Sequence, residues 1–204
     1  MRGMRGYAGV VVAVATGLLA TAAGAAPIVL LDQPSYTVAP GGSLTVNVLI
    51  DGDSSAPGLQ PVAGGLQSAG ILLKFSPVNA VVPTESQVVV VPALDDDGFG
   101  GPPTKRAVPG EAGFSGFVEF LSPSYTGNLL ATITLTNLAL SGSYQITPDL
   151  FYPLNDSRTN FVDGSLEDID ALITFAPSTV SVPEPGTAFL VTLVAGGLLA
   201  RRRR

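Results

Sequence analysis

Apolar residues at every second position are the feature that most constrains the fold of this chain. In residues 43–50 the apolar Leu44, Val46, Val48 and Ile50 are spaced in this way, and residues 131–136 alternate between apolar residues and threonines. A period of two places one set of side chains on one face of a β strand. Between residues 27 and 182 no apolar period of 3.6 residues extends far enough to indicate a long helix, and 166–172 is the one candidate for a short one. The sequence therefore predicts an all-β domain.

The predicted strands are short and are separated by glycine-rich and proline-rich turns. They are 28–31, 36–38, 43–50, 71–75, 88–91, 117–121, 131–135, 144–147, 171–175 and 179–182. Turns such as Pro40-Gly41-Gly42 lie between them. This organisation predicts a jelly-roll-like β-sandwich of about 8–10 strands. The alternation changes phase at Asn137, where we expect a bulge or a strand end.

The first 25 residues have the pattern of a secretory signal peptide. Arg2 and Arg5 precede an apolar stretch, and Ala23-Gly24-Ala25 forms an A-x-A cleavage site. We predict cleavage after Ala25, with a plain N-terminal membrane anchor as the alternative. The chain has no cysteine, which fits an exported protein that does not rely on disulfides.

The last 23 residues combine a proline-containing motif, an apolar segment and a basic end. Residues 187–200 carry no charge and would form about 21 Å of helix, which is short for a hydrocarbon core of about 30 Å. Four arginines follow, Arg201, Arg202, Arg203 and Arg204. Because positive charge stays on the cytoplasmic side, they predict a short transmembrane helix that leaves the middle of the chain outside. A buried C-terminal helix capped by arginines is the alternative.

The order of Val182-Pro183-Glu184-Pro185, an apolar segment and an arginine cluster resembles the PEP-CTERM sorting signal of exported proteins in Gram-negative bacteria that make exopolysaccharide. The resemblance implies that an exosortase, an integral-membrane cysteine protease, recognises Pro183, Glu184 and Pro185 and cuts near them. It also implies transit through the inner membrane to the cell surface or extracellular matrix. The chain then divides into a signal peptide (1–25), a domain (26–181) and a sorting signal (182–204).

The middle of the chain resembles a cohesin-type or carbohydrate-binding-module-like sandwich. The resemblance rests on the order of the stretches SYTVAPGGSLTVNVLIDG, AGILLKFSPVNAVV, GNLLATITLTNLALSGSYQI, FVDGS and DALITF. It departs from cohesins at residues 93–112, a loop rich in Gly, Pro and Asp. The resemblance implies the sandwich fold, and a fold alone does not determine function.

Composition excludes several classes of function. The chain has no His and no Cys, so catalysis by imidazole or thiolate is absent, and we predict that the protein is not an enzyme. Paired carboxylates of a glycosidase are the alternative. Between the basic termini, four basic residues face 16 acidic ones, a balance of 4 − 16 = −12. Such a charge repels phosphate backbones, so nucleic acid is not an expected partner.

Two groups of residues are candidates for ligand contacts. Asp95, Asp96 and Asp97 are consecutive carboxylates before Gly98, which indicates either a calcium site or a solvated acidic turn. We predict no other cofactor. Tyr125 and Tyr152 lie near predicted loops, where an aromatic ring either contacts a sugar or packs in the core.

These observations favour an exported, non-enzymatic protein of the envelope or matrix with a structural or adhesive role. Two alternatives remain open. The domain is either a carbohydrate-binding module of the exopolysaccharide matrix, less favourably a sugar-processing one, or a module that assembles with another surface protein.

Overall fold

The computed structural model describes the domain that lies between the two terminal segments. The described residues are 26–53, 55–78, 82–119, 121–136, 138 and 142–184. The predicted signal peptide, the apolar segment, the arginine cluster and Asn137 lie outside them. Within the described ranges, no helix is both long enough and apolar enough to cross a lipid bilayer.

The described residues form two β sheets that enclose a common apolar core. The strands are β1 (Ile28–Leu31), β2 (Ser35–Thr37), β3 (Leu44–Asp51), β4 (Leu66–Ser76), β5 (Val88–Val90), β6 (Thr104–Val108), β7 (Glu111–Phe117), β8 (Leu129–Leu135), β9 (Gly142–Leu150), β10 (Val162–Asp163), β11 (Thr174–Phe175) and β12 (Ser178–Val182). The first sheet has the order β11-β1-β3-β8-β5, and the second has the order β2-β12-β9-β4-β7-β6, with β10 beside β4. Short 3₁₀ turns lie at Glu85–Gln87, Pro92–Leu94 and Asp170–Leu172. The predicted all-β sandwich is confirmed.

Most neighbouring strands are antiparallel, and two parallel pairs join the start of the domain to its end. β11 pairs with β1, and β12 pairs with β2. The last strands of the domain therefore complete both sheets beside the first ones. Because both ends of the domain are hydrogen-bonded into sheets, the sandwich holds its own termini in place.

The core forms from the inward faces of the central strands. Val46, Val48 and Ile50 of β3 are fully buried, as are Ile71 and Leu73 of β4. The intervening Thr45 is exposed, and Asn47 is partly exposed. Burial of one such side chain stabilises the fold by about 1.5–3 kcal/mol relative to leaving it in water. The alternation in the sequence therefore corresponds to the buried and exposed faces of these strands.

The β6–β7 hairpin was not predicted, and it extends into the stretch that the sequence indicated as a loop. Its second strand carries glycines at Gly113 and Gly116, which interrupt the alternation. A Cβ atom at Gly113 would collide with the carbonyl oxygen of Ile71 on the neighbouring strand. Glycine here permits close backbone packing, and it removes the sequence signal for a strand.

Other predicted elements change in length or type. The strand predicted at 117–121 is wrong, because β7 ends at Phe117 and Leu121 has a left-handed backbone with φ of 71°. The helix candidate at 166–172 contains only the 3₁₀ turn at its end. The strand predicted at 171–175 shortens to β11, because the same 3₁₀ turn includes its first two residues. With the hairpin and short strands such as β10, the described residues contain twelve strands rather than about ten.

A buried carboxylate ties two successive loops together beside the second sheet. Asp170 accepts hydrogen bonds from the backbone N–H groups of Asn160 at 2.9 Å and Phe161 at 2.6 Å. The side-chain amide of Asn160 donates to the same carboxylate at 2.8 Å and to the carbonyl oxygen of Tyr152 at 2.9 Å. The N–H of Tyr152 donates to the Asn160 side chain at 2.7 Å. Asn160 and Asp170 thus fix the position of the loop that begins after β9.

We expect Asp170→Asn to destabilise the domain by about 1–3 kcal/mol, because an NH₂ group would then face backbone donors that need an acceptor. The measurement is the free energy of unfolding in urea. Glu167→Gln is the matched control, since Glu167 is exposed and the same exchange there is expected to stay within about 0.5 kcal/mol. Equal stability of the two variants would show that Asp170 does not hold the loops.

Candidate functional site

Four loops meet at one end of the sandwich, and we call this surface the loop end. It comprises residues 52–65, 91–103, 118–128 and 163–168, apart from positions 54 and 120. The loops are joined by backbone hydrogen bonds. Leu66 and Tyr125 exchange two bonds of 2.8 Å, and Gly164 donates to Gly65 at 2.9 Å. The loop end is therefore a connected surface rather than a set of independent loops.

Large apolar side chains project from three of these loops. Phe99 is 95% exposed, Leu121 is 90% exposed and Leu166 is 74% exposed, the three highest values among large apolar residues in the described ranges. Leu121 and Leu166 also have positive φ angles, of 71° and 65°, which non-glycine residues rarely adopt. Such backbone conformations cost about 1–3 kcal/mol each and cluster at functional sites. Exposure and strain thus coincide at the loop end.

The loop that carries Phe99 is held by two neighbouring carboxylates. Oδ1 of Asp96 accepts from the N–H groups of Gly98 at 2.5 Å and Gly100 at 3.2 Å. Oδ1 of Asp97 accepts from Phe99 at 2.8 Å and Gly101 at 2.9 Å. Gly98 and Gly100 have φ angles near +90°, which a side chain would disfavour. Phe99 is therefore presented on an ordered backbone, which lowers the entropy lost when a partner binds.

Of the three carboxylates predicted as calcium ligands, Asp96 and Asp97 accept these backbone hydrogen bonds. Asp95 is exposed beside them. Among the described residues, no group of three or more acidic side chains is arranged to hold a metal ion. Calcium binding by Asp95, Asp96 and Asp97 stays a prediction.

The loop end is strongly acidic. The residues that make up the loop end include eight acidic side chains and no lysine or arginine. The acidic residues are Asp53, Asp95, Asp96, Asp97, Glu119, Asp163, Glu167 and Asp168. The potential of such a surface attracts a basic partner and repels an acidic one.

The chain leaves the domain at the opposite end. Val182, the last residue of β12, pairs with Gly142 at the start of β9, and β4 ends at this side of the second sheet. β4 begins at the loop end, where Leu66 contacts Tyr125. Of the predicted sorting residues, Pro183 and Glu184 are exposed directly after β12. Pro185 and the arginines lie outside the described residues.

The two tyrosines predicted to contact sugars lie in different places. Tyr125 is partly buried under the loop end, where its hydroxyl donates to the carbonyl oxygen of Leu129 at 2.5 Å and burial raises its pKa. Tyr152 follows β9, with the guanidinium of Arg158 at 3.7 Å from its ring centre and an edge contact to Phe151 at 4.9 Å. Sugar contact by either tyrosine stays a prediction, and the structure does not place the two on one platform.

The sequence reasoning did not identify Phe99, Leu121 or Leu166 as functional candidates. A signal was present for Phe99, which lies between Gly98 and Gly100, just beyond three consecutive aspartates. Glycine and aspartate are typical of turns, and turns lie at the surface, so an aromatic residue among them is expected to be exposed. Leu121 and Leu166 had no comparable signal, because their exposure follows from backbone angles.

The Phe99 loop is expected to depend on pH. Hydrogen bonds from the N–H groups of Gly101 and Phe99 hold the pKa of Asp97 below its usual value. Because the folded pKa is lowered, these bonds contribute fully at neutral pH and are lost only as the pH falls through that lowered value. In an NMR titration we expect the Gly101 amide signal to shift with a midpoint below the ordinary aspartate pKa, and Asp97→Asn to abolish the transition. A midpoint at or above the ordinary value would contradict this role.

No protein-family model matches the chain, and no curated protein matches it either. Among solved structures, a type III cohesin module from the cell-surface anchoring scaffoldin ScaE of Ruminococcus flavefaciens has a TM-score of 0.52 at 12% identity, covering 78% of this chain and 89% of that module. A non-cellulosomal cohesin from Archaeoglobus fulgidus has a TM-score of 0.46 at 11% identity, covering 81% and 96% of the two chains. The cohesin module of a Clostridium perfringens family 33 glycoside hydrolase has a TM-score of 0.49 at 14% identity, covering 78% and 98%.

The similarity to the ScaE module is one of three-dimensional structure, at a sequence identity too low to carry residue roles. It agrees with the two-sheet architecture and with the sandwich expected from the order of the strands. The domain is therefore similar to cohesin modules in fold, and it is a cohesin-like β-sandwich.

Proposed function

We propose that this protein is an exported, non-catalytic assembly module that binds another protein through its loop end. The observation that carries this proposal is the exposure of Phe99 on a hydrogen-bonded loop and of Leu121 at a strained backbone position. An aromatic side chain that is fixed in place and surrounded by polar groups is the usual anchor of a protein interface. The similar ScaE module belongs to a cell-surface anchoring scaffoldin, which agrees with an assembly role.

The chemistry of the loop end defines the partner. Burial of an exposed aromatic or leucine side chain contributes about 1.5–3 kcal/mol, so Phe99 and Leu121 together contribute about 3–6 kcal/mol, and the contacts around them must supply the rest of the binding free energy. The eight carboxylates around them favour lysine and arginine on the other surface. The partner therefore has an apolar pocket with a basic rim.

The route of the protein to that partner follows from its two ends. The signal peptide at 1–25 directs export, and the sorting signal at 182–204 is processed by an exosortase near Pro183, Glu184 and Pro185. Because the chain leaves the sandwich opposite the loop end, a tail held in the inner membrane would leave the loop end pointing away from it. The surface that binds the partner would then be accessible both before and after release of the tail to the cell surface or matrix.

A photo-crosslinking experiment tests the loop end. Mature protein with benzoylphenylalanine at position 99 is irradiated with the cell envelope of its host, and the control carries the same group at Val89, which is 59% exposed on β5. We expect a discrete crosslinked protein from position 99 and none from position 89. Unlabelled Val89→Ala protein is expected to compete for the partner, whereas Phe99→Ala is expected to compete at least tenfold less well, because the main apolar anchor is lost.

Two results would contradict the proposal. One is crosslinking of equal yield and pattern from positions 99 and 89. The other is equal competition by the Phe99→Ala and Val89→Ala proteins.

Mass spectrometry of the protein from its host tests the processing. We expect a mature N-terminus at Ala26 and a C-terminus between residues 183 and 186, with the four arginines removed. Full-length protein in washed membranes would instead show a permanent anchor and would contradict exosortase processing.

A further inference from the structure

A second surface contains all the basic residues between positions 26 and 184. Lys74 and Arg106 line a groove of about 500 Å³ on the outer face of the second sheet. Lys105, Arg106 and Arg158 line an adjoining groove of about 340 Å³. These four are all the basic residues between positions 26 and 184. The two grooves share Arg106, together with aromatic and proline side chains of the loop after β9.

Charged side chains of alternating sign cross the larger groove. The neighbouring strands β6, β7, β4 and β9 contribute Arg106, Glu111, Lys74 and Asp149 in that order. Arg106 pairs with Glu111 at 2.6 Å, and Lys74 pairs with Asp149 at 2.5 Å. The side chains are partly exposed, with values from 26% to 51%. We call these four residues the charged row.

The groove has an apolar floor and a fixed wall. Between the ends of the charged row, Gly113 lies opposite both Arg106 and Leu72, and Leu72 is nearly buried. Phe151 and Leu154, from the loop after β9, form the wall. The Asn160 side chain holds this loop through the Tyr152 backbone, so the shape of the groove does not depend on a ligand.

The charged row keeps unused hydrogen-bonding capacity. The Arg106 guanidinium donates to Glu111 through Nε alone among the described residues. Lys74 has three donors, and within the described ranges it donates to Asp149. The carboxylates have further lone pairs. A ligand in the groove therefore meets donors and acceptors in alternation, next to an apolar floor.

The balance of basic and acidic side chains around the grooves indicates which class of ligand fits them. The four basic residues are matched by Glu111, Asp149, Asp156 and Asp170, which line the grooves or pair with Arg158, so the local sum is 4 − 4 = 0. A polyanion gains nothing from such a surface and is repelled by a domain whose total is 4 − 16 = −12. A polycation is drawn to the loop end instead. A neutral ligand with many hydroxyl groups and apolar C–H faces fits both the charged row and the floor.

We infer that this groove binds a neutral polysaccharide chain. Hydroxyl groups donate and accept, so successive sugars match successive members of the charged row. Four strands span about 14 Å at a spacing of about 4.8 Å, which accommodates about three sugar rings. Tyr152 lines the smaller groove and would extend the contact beyond Arg106, although Arg158 occupies one face of its ring.

Binding of defined oligosaccharides to the mature protein tests this inference. The neutral probes are cellohexaose, mannohexaose and hexa-N-acetylglucosamine, and the anionic probe is hexamannuronate. Affinity is measured by calorimetry, and the site is mapped by NMR shifts. The test variants are Arg106→Ala and Glu111→Ala. Glu85→Ala is the matched control, since Glu85 is an exposed carboxylate outside both grooves.

We expect saturable binding of at least one neutral hexasaccharide, with NMR shifts on β4, β7 and the loop after β9. Arg106→Ala and Glu111→Ala should weaken it at least tenfold, and Glu85→Ala should leave it unchanged. Absence of binding to all neutral probes, tighter binding of hexamannuronate, or shifts confined to the loop end would overturn the inference. Phe99→Ala should bind the sugar normally, so loss of protein binding at the loop end and loss of sugar binding in the groove are separate results.

Discussion

Burial of the facing sides of β3, β4 and β8 between the two sheets determines where everything else in this domain lies. Each of these strands places every second side chain in the core, and many of those side chains are fully buried. A side chain with a polar or binding role must then lie on an outer face or in an end loop. Both surfaces assigned here follow this division. The charged row lies on the outer face of the second sheet, and the apolar anchors lie at the end where its central strand β4 begins.

Because the protein has neither cysteines nor, in its described residues, any helix longer than a 3₁₀ turn, its loops are fixed by another means. Aspartate side chains accept hydrogen bonds from backbone N–H groups a few residues away. Asp97 accepts from Phe99, Asp163 accepts in the turn that carries Leu166, and Asp170 accepts from a loop nine to ten residues earlier in the chain. Charge-assisted bonds of this kind are stronger than those between neutral groups. The high proportion of aspartate in the loops therefore serves their order as well as the negative potential of the domain.

The sequence predicts those strands in which apolar and polar residues alternate, because the alternation follows from the burial of one face of the strand. β1, β3, β8 and β12 lie close to their predicted positions because each strand has one buried face and one more exposed face. β7 was not predicted, because Gly113 and Gly116 pack closely against neighbouring backbone and leave no alternation to detect. At the site, the acidic character of the loops was visible, but the exposure of Leu121 was not. It depends on a left-handed backbone angle, which only the folded loop determines.

The distribution of charge agrees with the two partners proposed for this domain. The 16 acidic residues divide into eight at the loop end, four around the grooves and four elsewhere, while all four basic residues between positions 26 and 184 line the grooves. The loop end therefore carries a charge of −8, the grooves sum to zero, and the rest of the domain carries −4. A basic protein surface is steered to the loop end, since the grooves, whose charges sum to zero, offer it no net attraction. A neutral sugar chain is not steered at all, and it remains wherever hydroxyl partners and an apolar floor coincide. The two proposed partners are thus expected on separate surfaces of the domain.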